Sequence, residues 1–405
     1  MRLALLVDDY LPHSTRVAAK MMHELALELV SSGHEPIVIT PAKDCLSNAR
    51  LYETSLDGVT VWYFKSGELK DIPNIKRAIN ESLLSLNAWR AVSSKLKNDN
   101  KFDGIIYYSP SIFFGPIVKL IKKRCNCKSY LILRDSFPQW IIDEGLIKDN
   151  SLLSGYFRFF EKINYSAADY IGLMSKNNKL LFEKDHPSIK NTNITYNWAC
   201  PVPIKNLGVS SNFRKKNNLV DKVLFFYGGN IGRAQDISNI LRLSKRMKKH
   251  PQAFFLFIGQ GDEVELLKES ISKWNLNNVM YLPSVNQLEF KKILSEADVG
   301  LFSLAKTHRV HNFPGKLLGY MVESIPILGS VNEGNDLLDI INKSESGYAF
   351  INGDDDNLYM AAKSLLFNEL DRRHRGEMSR KILHEKFSVN TVAEKIIRCL
   401  ESDTY

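Results

Sequence analysis

The 405-residue sequence lacks any apolar run of the roughly 18 to 20 residues that a helix needs to cross a bilayer. Its first apolar stretch, residues 3–7, is short and is followed at once by Asp8 and Asp9, which argues against a signal peptide. Hydrophobic residues make up 44% of the chain and charged residues 24%, a composition typical of a globular protein and not of a disordered or fibrous one. We therefore expect a cytoplasmic protein.

Motifs of several common enzyme classes are also missing. The sequence has no G-x-S-x-G, no H-E-x-x-H and no phosphate loop ending in GK[ST], which argues against hydrolase triads, zinc proteases and ATPases. Its five cysteines are scattered, and the spacing of Cys125 and Cys127 fits neither a zinc knuckle nor a redox pair, so we expect reduced thiols. Because no D-x-D cluster follows a predicted strand, we expect no metal and no cofactor.

Positive charge is what the sequence has in excess. It contains 54 Lys and Arg residues against 45 Asp and Glu, a net charge of +9. Residues 205–249 alone hold 11 basic and 2 acidic residues, and a second basic cluster lies at 119–128. Such clusters are typical of surfaces that face nucleic acid, anionic lipid or phosphate, and also of solvated helix faces. No RNA-binding, zinc-finger or basic heptad pattern accompanies them, so we expect no nucleic-acid partner.

Short apolar runs alternate with helical patterns along the chain, which predicts parallel sheets with crossover helices. The alternation pauses at residues 198–203, where two prolines prevent a helix. We therefore predict an α/β fold with two doubly wound, Rossmann-like domains, residues 1–200 and 201–386, that face each other across a cleft. We expect the final helix, about 387–405, to pack back on the first domain.

The second domain has two glycine-rich segments that follow predicted strands. Residues 227–233 are predicted as a tight turn before a helix, where glycine lets backbone N–H groups approach an anion and an arginine adds a phosphate clamp. Residues 259–263 have the same position after the next strand. A purely structural turn is the alternative in both cases. The candidate ligand-binding residues are Gly228, Gly229, Asn230, Arg233, Gly259 and Gly261.

Residues 308–316 are the most informative segment. Pro314 and Gly315 at a helix start place free N–H groups beside the Lys316 ammonium, which predicts an anion site. Two histidines and an arginine add positive charge to this loop, and a solvated basic loop is the alternative. The loop after the next strand has polar groups suited to hydrogen bonds with ribose or sugar hydroxyls, and a simple turn is the alternative. Further candidates from these two loops are His311, Phe313, Asn335 and Asp336.

In the first domain, charged and aromatic residues follow two predicted strands. Arg134 and Asp135 close one of them, which suggests a site, whereas a surface ion pair is the alternative. The loop after the first strand also has polar side chains that are suited to bind a second ligand. Its candidate residues are Tyr10, His13 and Arg16.

Together these motifs resemble retaining glycosyltransferases of family 4 with the GT-B fold, over nearly the whole chain. The similar segments are 32–35, 227–230, 258–261, 296–301, 314–316 and 325–328. Residues 312–318 and 335–337 more narrowly resemble bacterial O-antigen and capsule transferases that use UDP-N-acetyl-L-fucosamine. The sequence departs from the family at two places. The two family glutamates fall at His311 and Gly319, and the arginine and lysine that hold the diphosphate fall near Asn230 and Gln235.

The resemblance implies that the second domain binds a UDP-sugar and the first domain a sugar acceptor, often one linked to polyprenyl diphosphate. Lys316 and helix N-termini would stabilise the departing UDP without a metal, and front-face attack would retain the anomeric configuration without a protein nucleophile. Asp135 is the candidate for orienting the acceptor hydroxyl. The acceptor-binding candidates are Tyr10, His13, Arg16 and Arg134.

The resemblance also implies a peripheral position on the cytoplasmic face of the inner membrane, through the basic cluster at 119–128 beside apolar residues 112–114. The apolar and aromatic residues of the predicted helix at 152–160 are a second candidate contact, and core packing is the alternative for them. Two other functions stay open. A UDP-sugar 2-epimerase of GT-B fold needs no acceptor, but it calls for more acid–base carboxylates and histidines than these loops supply. A non-enzymatic protein that binds polyanions or a lipid surface would explain the charge alone.

Overall fold

The structure is a computed structural model that describes residues 1–14, 16–42, 49–69, 72–97, 100–143, 145–209, 211–306 and 313–402. The chain divides into two compact units, Met1–Tyr196 with Val389–Tyr405 and Asn197–Ser388, which we call the N-terminal and the C-terminal domain. Of the predicted site residues, His311 lies outside the described residues.

The N-terminal domain is built on one sheet. Its strands are β1 (Arg2–Leu6), β2 (Glu35–Ala42), β3 (Leu51–Leu56), β4 (Val59–Lys65), β5 (Gly104–Tyr108), β6 (Lys128–Leu133), β7 (Tyr170–Leu173) and β8 (Thr192–Ile194). They are arranged in the order β3-β4-β2-β1-β5-β6-β7-β8, with β3 antiparallel to β4 and the other pairs parallel. Central parallel strands are covered on both faces, which is why β1 is a continuous apolar run from Leu3 to Leu6 and is fully buried.

Helices cover both faces of this sheet. They are α1 (Val17–Ser31), α2 (Asn74–Ser82), α3 (Leu84–Val92), α4 (Gly115–Cys125), α5 (Gln139–Asp143), α6 (Leu152–Ala167) and α7 (Lys176–Asp185). The crossover from β1 to β2 runs in one direction across the sheet and those from β4 to β5 and from β5 to β6 in the other, so right-handed connections place α1 opposite α3 and α4. The direction reverses between β1 and β5, and doubly wound folds bind ligands at such a switch point.

The C-terminal domain contains one fully parallel sheet. Its strands are β9 (Val223–Asn230), β10 (Ala253–Gln260), β11 (Val279–Leu282), β12 (Val299–Ser303), β13 (Ile327–Val331) and β14 (Gly347–Ile351), in the order β11-β10-β9-β12-β13-β14. The switch point of this sheet lies between β9 and β12. These two strands pair through Val299 with Phe225 and Gly300 with Phe226, and β9 continues beyond this pairing to Asn230.

The helices of the C-terminal domain surround this sheet. They are α8 (Phe213–Lys216), α9 (Ile237–Met247), α10 (Val264–Lys273), α11 (Gln287–Leu294), α12 (Lys316–Val322), α13 (Leu337–Lys343), α14 (Asp355–Phe367) and α15 (Glu369–Ile382), with 3₁₀ turns at Ile204–Leu207 and Arg233–Gln235 and a π turn at Leu383–Phe387. The last helix, α16 (Val389–Glu401), lies in the N-terminal domain and packs against α1 and β6. Among the described residues, no helix combines the length and the apolarity that a membrane crossing needs.

The predicted architecture of two doubly wound, Rossmann-like domains is confirmed. Some elements differ from their prediction. The helix predicted at 75–96 is two helices that meet at Leu83, and β14 lies in a region where only helices were predicted. The edge strand β3 was missed because its sequence is mostly polar and exposed, as an outer strand allows. The helix α7 was missed for a similar reason, since it buries little more than Phe182.

Candidate functional site

At the switch point of the C-terminal sheet, β9 is longer than the sequence predicts. Gly228, Gly229 and Asn230 do not form a tight turn; they continue the strand and pair in register with residues 258–260 of β10. The chain then reaches α9 through a 3₁₀ turn. The prediction of a tight turn at a helix start is therefore wrong for these three residues, because they belong to β9 and the helix α9 begins only at Ile237.

Most of the predicted glycines are required by packing. A Cβ atom on Gly228 would overlap the ring of Phe290, and Cβ atoms on Gly259 and Gly261 would overlap carbonyl oxygens of residues 229–231. In these places the strands approach so closely that only glycine fits. Packing alone therefore requires glycine at these three positions, whatever their backbone N–H groups bind.

Gly229 differs from the other glycines. Its φ of +105° is a conformation that side chains rarely adopt, so glycine is needed for the backbone itself. The nearest atom that a Cβ there would meet is Cε of Lys316, at 3.8 Å. The structure thus brings together two predicted candidates, Gly229 and Lys316, at the switch point.

The Lys316 ammonium is the unusual group of this site. Its Nζ lies 3.4 Å from the centroid of the Tyr227 ring, is buried, and has no hydrogen-bond partner among the described residues. Burial holds the pKa of Lys316 well below its ordinary value, because desolvation disfavours the charged form. A buried amine with no anion beside it is costly, so its position calls for an explanation, and a bound anion would supply one.

The position of Lys316 is set by the way α12 packs. Tyr320, one turn further along α12, is fully buried, and its hydroxyl donates to the carbonyl oxygen of Leu301 in β12 at 2.9 Å. The same hydroxyl lies 3.4 Å from the backbone N–H of Gly228 in β9. Tyr320 therefore holds the start of α12 against both strands of the switch point, and the Lys316 side chain lies over Tyr227 as a result.

Two other predicted residues lie at the end of β9. The Arg233 side chain is 87% exposed, and its Nε lies 3.6 Å from a carboxylate oxygen of Asp262. An exposed ion pair of this kind is weak, so Arg233 can exchange Asp262 for another anion. The Asn230 amide donates to the Gln235 side chain at 2.8 Å.

The loops beside α12 and α13 hold several candidates with local roles. Phe313 is buried, with its ring centroid 4.7 Å from that of Phe387. The buried Asn335 amide donates to the Asn332 side chain at 2.9 Å and accepts from the Leu337 N–H at 3.0 Å. These groups therefore serve the fold, which corrects the prediction that they face a ligand. Candidates that stay partly or fully exposed are Pro314, Gly315 and Asp336.

At the edge of the N-terminal sheet, Tyr10 is 3% exposed and does not face solvent. Its hydroxyl is hydrogen-bonded to Nδ1 of His23 at 2.8 Å, and Nε2 of His23 lies 3.0 Å from a carboxylate oxygen of Asp57. Burial raises the pKa of the Tyr10 hydroxyl. The chain of three groups ties the loop after β1 to α1 and to the β3–β4 turn, so the predicted contact of Tyr10 with the acceptor is replaced by a structural role.

Arg134 is also buried. Its guanidinium donates to the carbonyl oxygens of Thr195 at 2.7 Å and Tyr196 at 3.2 Å, and burial lowers its pKa to about 10. The side chain therefore holds the segment that follows β8, and the prediction that it binds the acceptor is corrected in the same way.

The three remaining candidates of this edge are exposed. Desolvation by the surrounding protein raises the pKa of the Asp135 carboxyl, the Arg134 guanidinium opposes this, and the Asp8 carboxylate adds to it. His13 packs edge-on against Tyr63, with centroids 5.9 Å apart, and Arg16 lies 3.8 Å from an Asp9 carboxylate oxygen. A ligand at this edge of the sheet would meet these side chains.

Sequence reasoning missed three residues of these edges. Tyr227 lies beneath Lys316, and the aromatic residue directly before the glycine pair was its signal. Glu263 stands at the start of α10 but makes no capping hydrogen bond, and its Oε2 is buried without a partner among the described residues. The Ser109 hydroxyl, just after β5, is also buried and has no hydrogen-bond partner among the described residues. The described residues contain no group of three or more His, Cys, Asp or Glu side chains that could hold a metal ion.

Comparisons with known proteins agree with this architecture. A family model described as "Glycosyl transferases group 1" matches residues 209–382. The chain is 26% identical over 286 residues to the "Probable glycosyltransferase WbjE" of Pseudomonas aeruginosa, covering 69% of this chain and 70% of the relative.

Solved structures with low identity share the fold. WaaG, a glycosyltransferase involved in lipopolysaccharide biosynthesis, superimposes with a TM-score of 0.63 at 13% identity, covering 99% of this chain and 100% of WaaG. Anabaena HepE in complex with UDP and glucose gives a TM-score of 0.66 at 12% identity, with all of both chains covered. The chain thus has the GT-B fold of two Rossmann-like domains. Residues 209–382 thus resemble the group 1 glycosyltransferases, and the matches support glycosyltransferase as the enzyme class.

Proposed function

We propose that the protein transfers a sugar from a UDP-sugar to a sugar acceptor linked to polyprenyl diphosphate, in the synthesis of O-antigen or capsule polysaccharide. The proposed donor sugar is N-acetyl-L-fucosamine, from the resemblance at residues 312–318 and 335–337. Transfer retains the anomeric configuration and needs no metal. The enzyme works peripherally at the cytoplasmic face of the inner membrane. Two comparisons support the general assignment, because HepE binds UDP and glucose and WaaG acts in lipopolysaccharide biosynthesis.

The observation that carries the donor assignment is the Lys316 ammonium at the switch point of the C-terminal sheet, which has no hydrogen-bond partner among the described residues. Its Nζ is buried over Tyr227 and lies next to Gly229, where the backbone leaves room. A diphosphate bound there supplies the missing negative charge and restores the proton to the amine. Arg233 can reach the same anion from the exposed side, in exchange for Asp262.

Lys316 then acts on the leaving group. As the bond between the sugar and the diphosphate breaks, the β-phosphate gains negative charge, and an ammonium in a site with little water stabilises that charge strongly. The acceptor hydroxyl attacks from the same face of the sugar, and its proton leaves with the UDP phosphate. No protein nucleophile takes part in this scheme, which accords with the absence of both family glutamates from the sequence.

The acceptor is assigned to the exposed edge of the N-terminal sheet. Asp135 is exposed there, and its pKa is raised by desolvation and, to a smaller extent, by the Asp8 carboxylate, so a hydroxyl or amide of a sugar is a suitable partner. His13 and Arg16 are the further acceptor-binding residues of this proposal, since both are exposed in the loop after β1. Tyr10 and Arg134 are left out because their polar groups are occupied inside the domain.

The test compares the Lys316→Ala variant with a control that removes exposed positive charge, in an assay that follows radiolabelled sugar from UDP-sugars to a lipid-linked acceptor. We expect Lys316→Ala to lower transfer by about 100-fold or more, as for the loss of one electrostatic group at a leaving oxygen. The control is Lys215→Gln with Lys216→Gln, two exposed positions in the basic segment 205–249, and it should transfer normally.

The same assay separates the other possible functions. Near-normal transfer by Lys316→Ala would contradict the proposed site. Conversion of the UDP-sugar to its 2-epimer in the absence of acceptor would favour the epimerase. Loss of function in the control but not in Lys316→Ala would favour a polyanion-binding protein. A thermal-shift screen against UDP-, GDP- and dTDP-sugars then identifies the donor, because the right ligand stabilises the fold by mass action.

A further inference from the structure

An apolar stripe lies on the outer face of α6. Leu152 is 96% exposed, Phe159 is 60% exposed, and Tyr156 between them is also exposed. The spacing of four and three residues places all three side chains on one face of the helix. Single exposed apolar residues are common on proteins, whereas a row of large ones marks an interaction surface.

A second stripe runs along α2 and α3. Ile79, Leu83 and Leu86 are exposed and have the same spacing across the break between the two helices. The Tyr156 hydroxyl on α6 donates a hydrogen bond to the Ser82 hydroxyl on α2, so the two stripes are neighbours. They form one continuous surface, which we call the apolar patch: Ile79, Leu83, Leu86, Leu152, Tyr156 and Phe159.

The topology places the apolar patch beside the proposed acceptor edge. α3, α4 and α6 each run from the carboxyl side of the sheet to the start of the next strand, so their first turns lie at the edge where Asp135 is found. The patch lies on the second half of α2, at the start of α3 and on the first half of α6. Residues 112–114, which the sequence suggested as the apolar anchor, are buried in the core and do not contribute.

Positive charge follows the apolar patch along the same helices. The exposed Arg90 on α3 lies two turns after Leu83, and the exposed Lys162 on α6 lies one turn after Phe159. Two further exposed lysines, Lys119 and Lys123, lie on α4, which packs against both α3 and α6. None of these four takes part in an ion pair found among the described residues. We call them the basic belt. Lys122, in contrast, is paired with Asp169 at 2.7 Å.

We propose that the apolar patch and the basic belt together dock the N-terminal domain on an anionic membrane surface. The patch enters the boundary between headgroups and acyl chains, and the belt binds the phosphate groups of the lipids. A membrane fits better than a protein partner because lysine is depleted from protein interfaces, whereas unpaired lysines beside apolar residues suit anionic headgroups. The proposal rests on the lipid-linked acceptor of the proposed function, since docking here brings the acceptor edge to the bilayer.

The test is flotation of the whole protein with vesicles of phosphatidylcholine, with and without phosphatidylglycerol. We expect binding to the anionic vesicles and little to the neutral ones. Leu152→Ser with Phe159→Ser should weaken binding about tenfold or more, because two large apolar side chains no longer enter the bilayer. Arg90→Gln with Lys123→Gln should weaken it roughly fivefold for each charge removed.

Matched controls lie in the C-terminal domain. Leu370→Ser removes an apolar side chain that is 79% exposed, and Lys215→Gln with Lys216→Gln removes two exposed charges; both should bind vesicles normally. The single variant Leu152→Ser keeps the test valid if the double variant fails to fold, since a side chain this exposed contributes little to the core. Unchanged melting temperatures establish that the variants are folded.

Three results would overturn the proposal. The native protein fails to float with anionic vesicles, the controls lose as much binding as the patch and belt variants, or size-exclusion chromatography shows an oligomer that the patch variants dissociate. The last result would identify the patch as a protein interface. Flotation needs no donor, so it is independent of sugar transfer, and a soluble acceptor analogue reports on transfer without a membrane.

Discussion

The carboxyl edges of the two sheets show opposite uses of buried positive charge. In the C-terminal domain, the Lys316 ammonium is buried over an aromatic ring with no hydrogen-bond partner among the described residues. In the N-terminal domain, the Arg134 guanidinium is equally buried but donates to two backbone carbonyl oxygens. Both residues follow strands in the sequence, and both are cations.

This contrast teaches how to separate a binding residue from a structural one. A buried cation with protein acceptors has already recovered its desolvation cost, so removing it leaves those acceptors unsatisfied. A buried cation without acceptors lowers the stability of the free protein and gains only when an anion binds. The two classes should therefore respond to substitution with opposite signs, and three predictions test this.

The largest effect is expected for Arg134→Met. The change removes the Arg134 donor from the buried carbonyl oxygen of Thr195 and from the half-buried one of Tyr196, which should cost about 3 kcal/mol of stability. Chemical denaturation measures the loss. The matched control is Arg158→Met in the same domain, which removes a partly exposed ion pair with Asp149 and should cost less than about 1 kcal/mol. A stable Arg134→Met variant with a raised KM for the acceptor would instead show that Arg134 binds the acceptor.

A smaller effect of opposite sign is expected for Lys316→Met. Methionine keeps the apolar stem and removes the desolvated amine, so the ligand-free protein should gain about 1 kcal/mol and melt at a higher temperature. The stabilisation of the native protein by UDP should disappear in the variant. Differential scanning calorimetry with and without UDP measures both. A fall in melting temperature like that of Arg134→Met would show that Lys316 is a structural cation.

The smallest effect is the pH dependence of UDP binding. The pKa of Lys316 is lowered in the free protein, and a bound diphosphate raises it again, so binding takes up a proton between these two pKa values. UDP affinity should fall as the pH rises through this window, by at most about tenfold per pH unit. Isothermal titration calorimetry in buffers of different ionisation enthalpy measures the uptake.

The proton uptake on UDP binding can be checked with a control variant and with the stability of the ligand-free protein. Lys316→Met should bind UDP weakly and without the proton uptake that belongs to the amine. For the ligand-free native protein, the free energy of unfolding should rise with pH between the lowered pKa of Lys316 and the ordinary lysine pKa. In this range the unfolded chain holds the proton and the folded protein does not. Equal proton uptake in both proteins would assign the proton to another group.

The fold was largely predictable from the sequence, and the roles of individual residues were not. The apolar runs at 59–65, 104–108 and 299–303 predict buried strands, and β4, β5 and β12 have these same limits. Strands without such a run, above all β3, escaped prediction because an outer position tolerates polar residues. At the edges, the sequence pointed to the right segments, since polar residues that follow strands gather there, but it treated Tyr10, Arg134 and Asn335 as ligand-binding groups.

The sequence by itself determined the alternation of strands and helices, and with it two Rossmann-like domains, because hydrophobic periodicity and strand length are local properties. It also pointed to Lys316 through the residues beside it. Only the tertiary structure decided which polar groups are satisfied within the protein, since a partner such as Thr195 for Arg134 or Tyr227 for Lys316 comes from a distant part of the chain. The same holds for the apolar patch, whose two stripes become one surface through the contact between Tyr156 and Ser82.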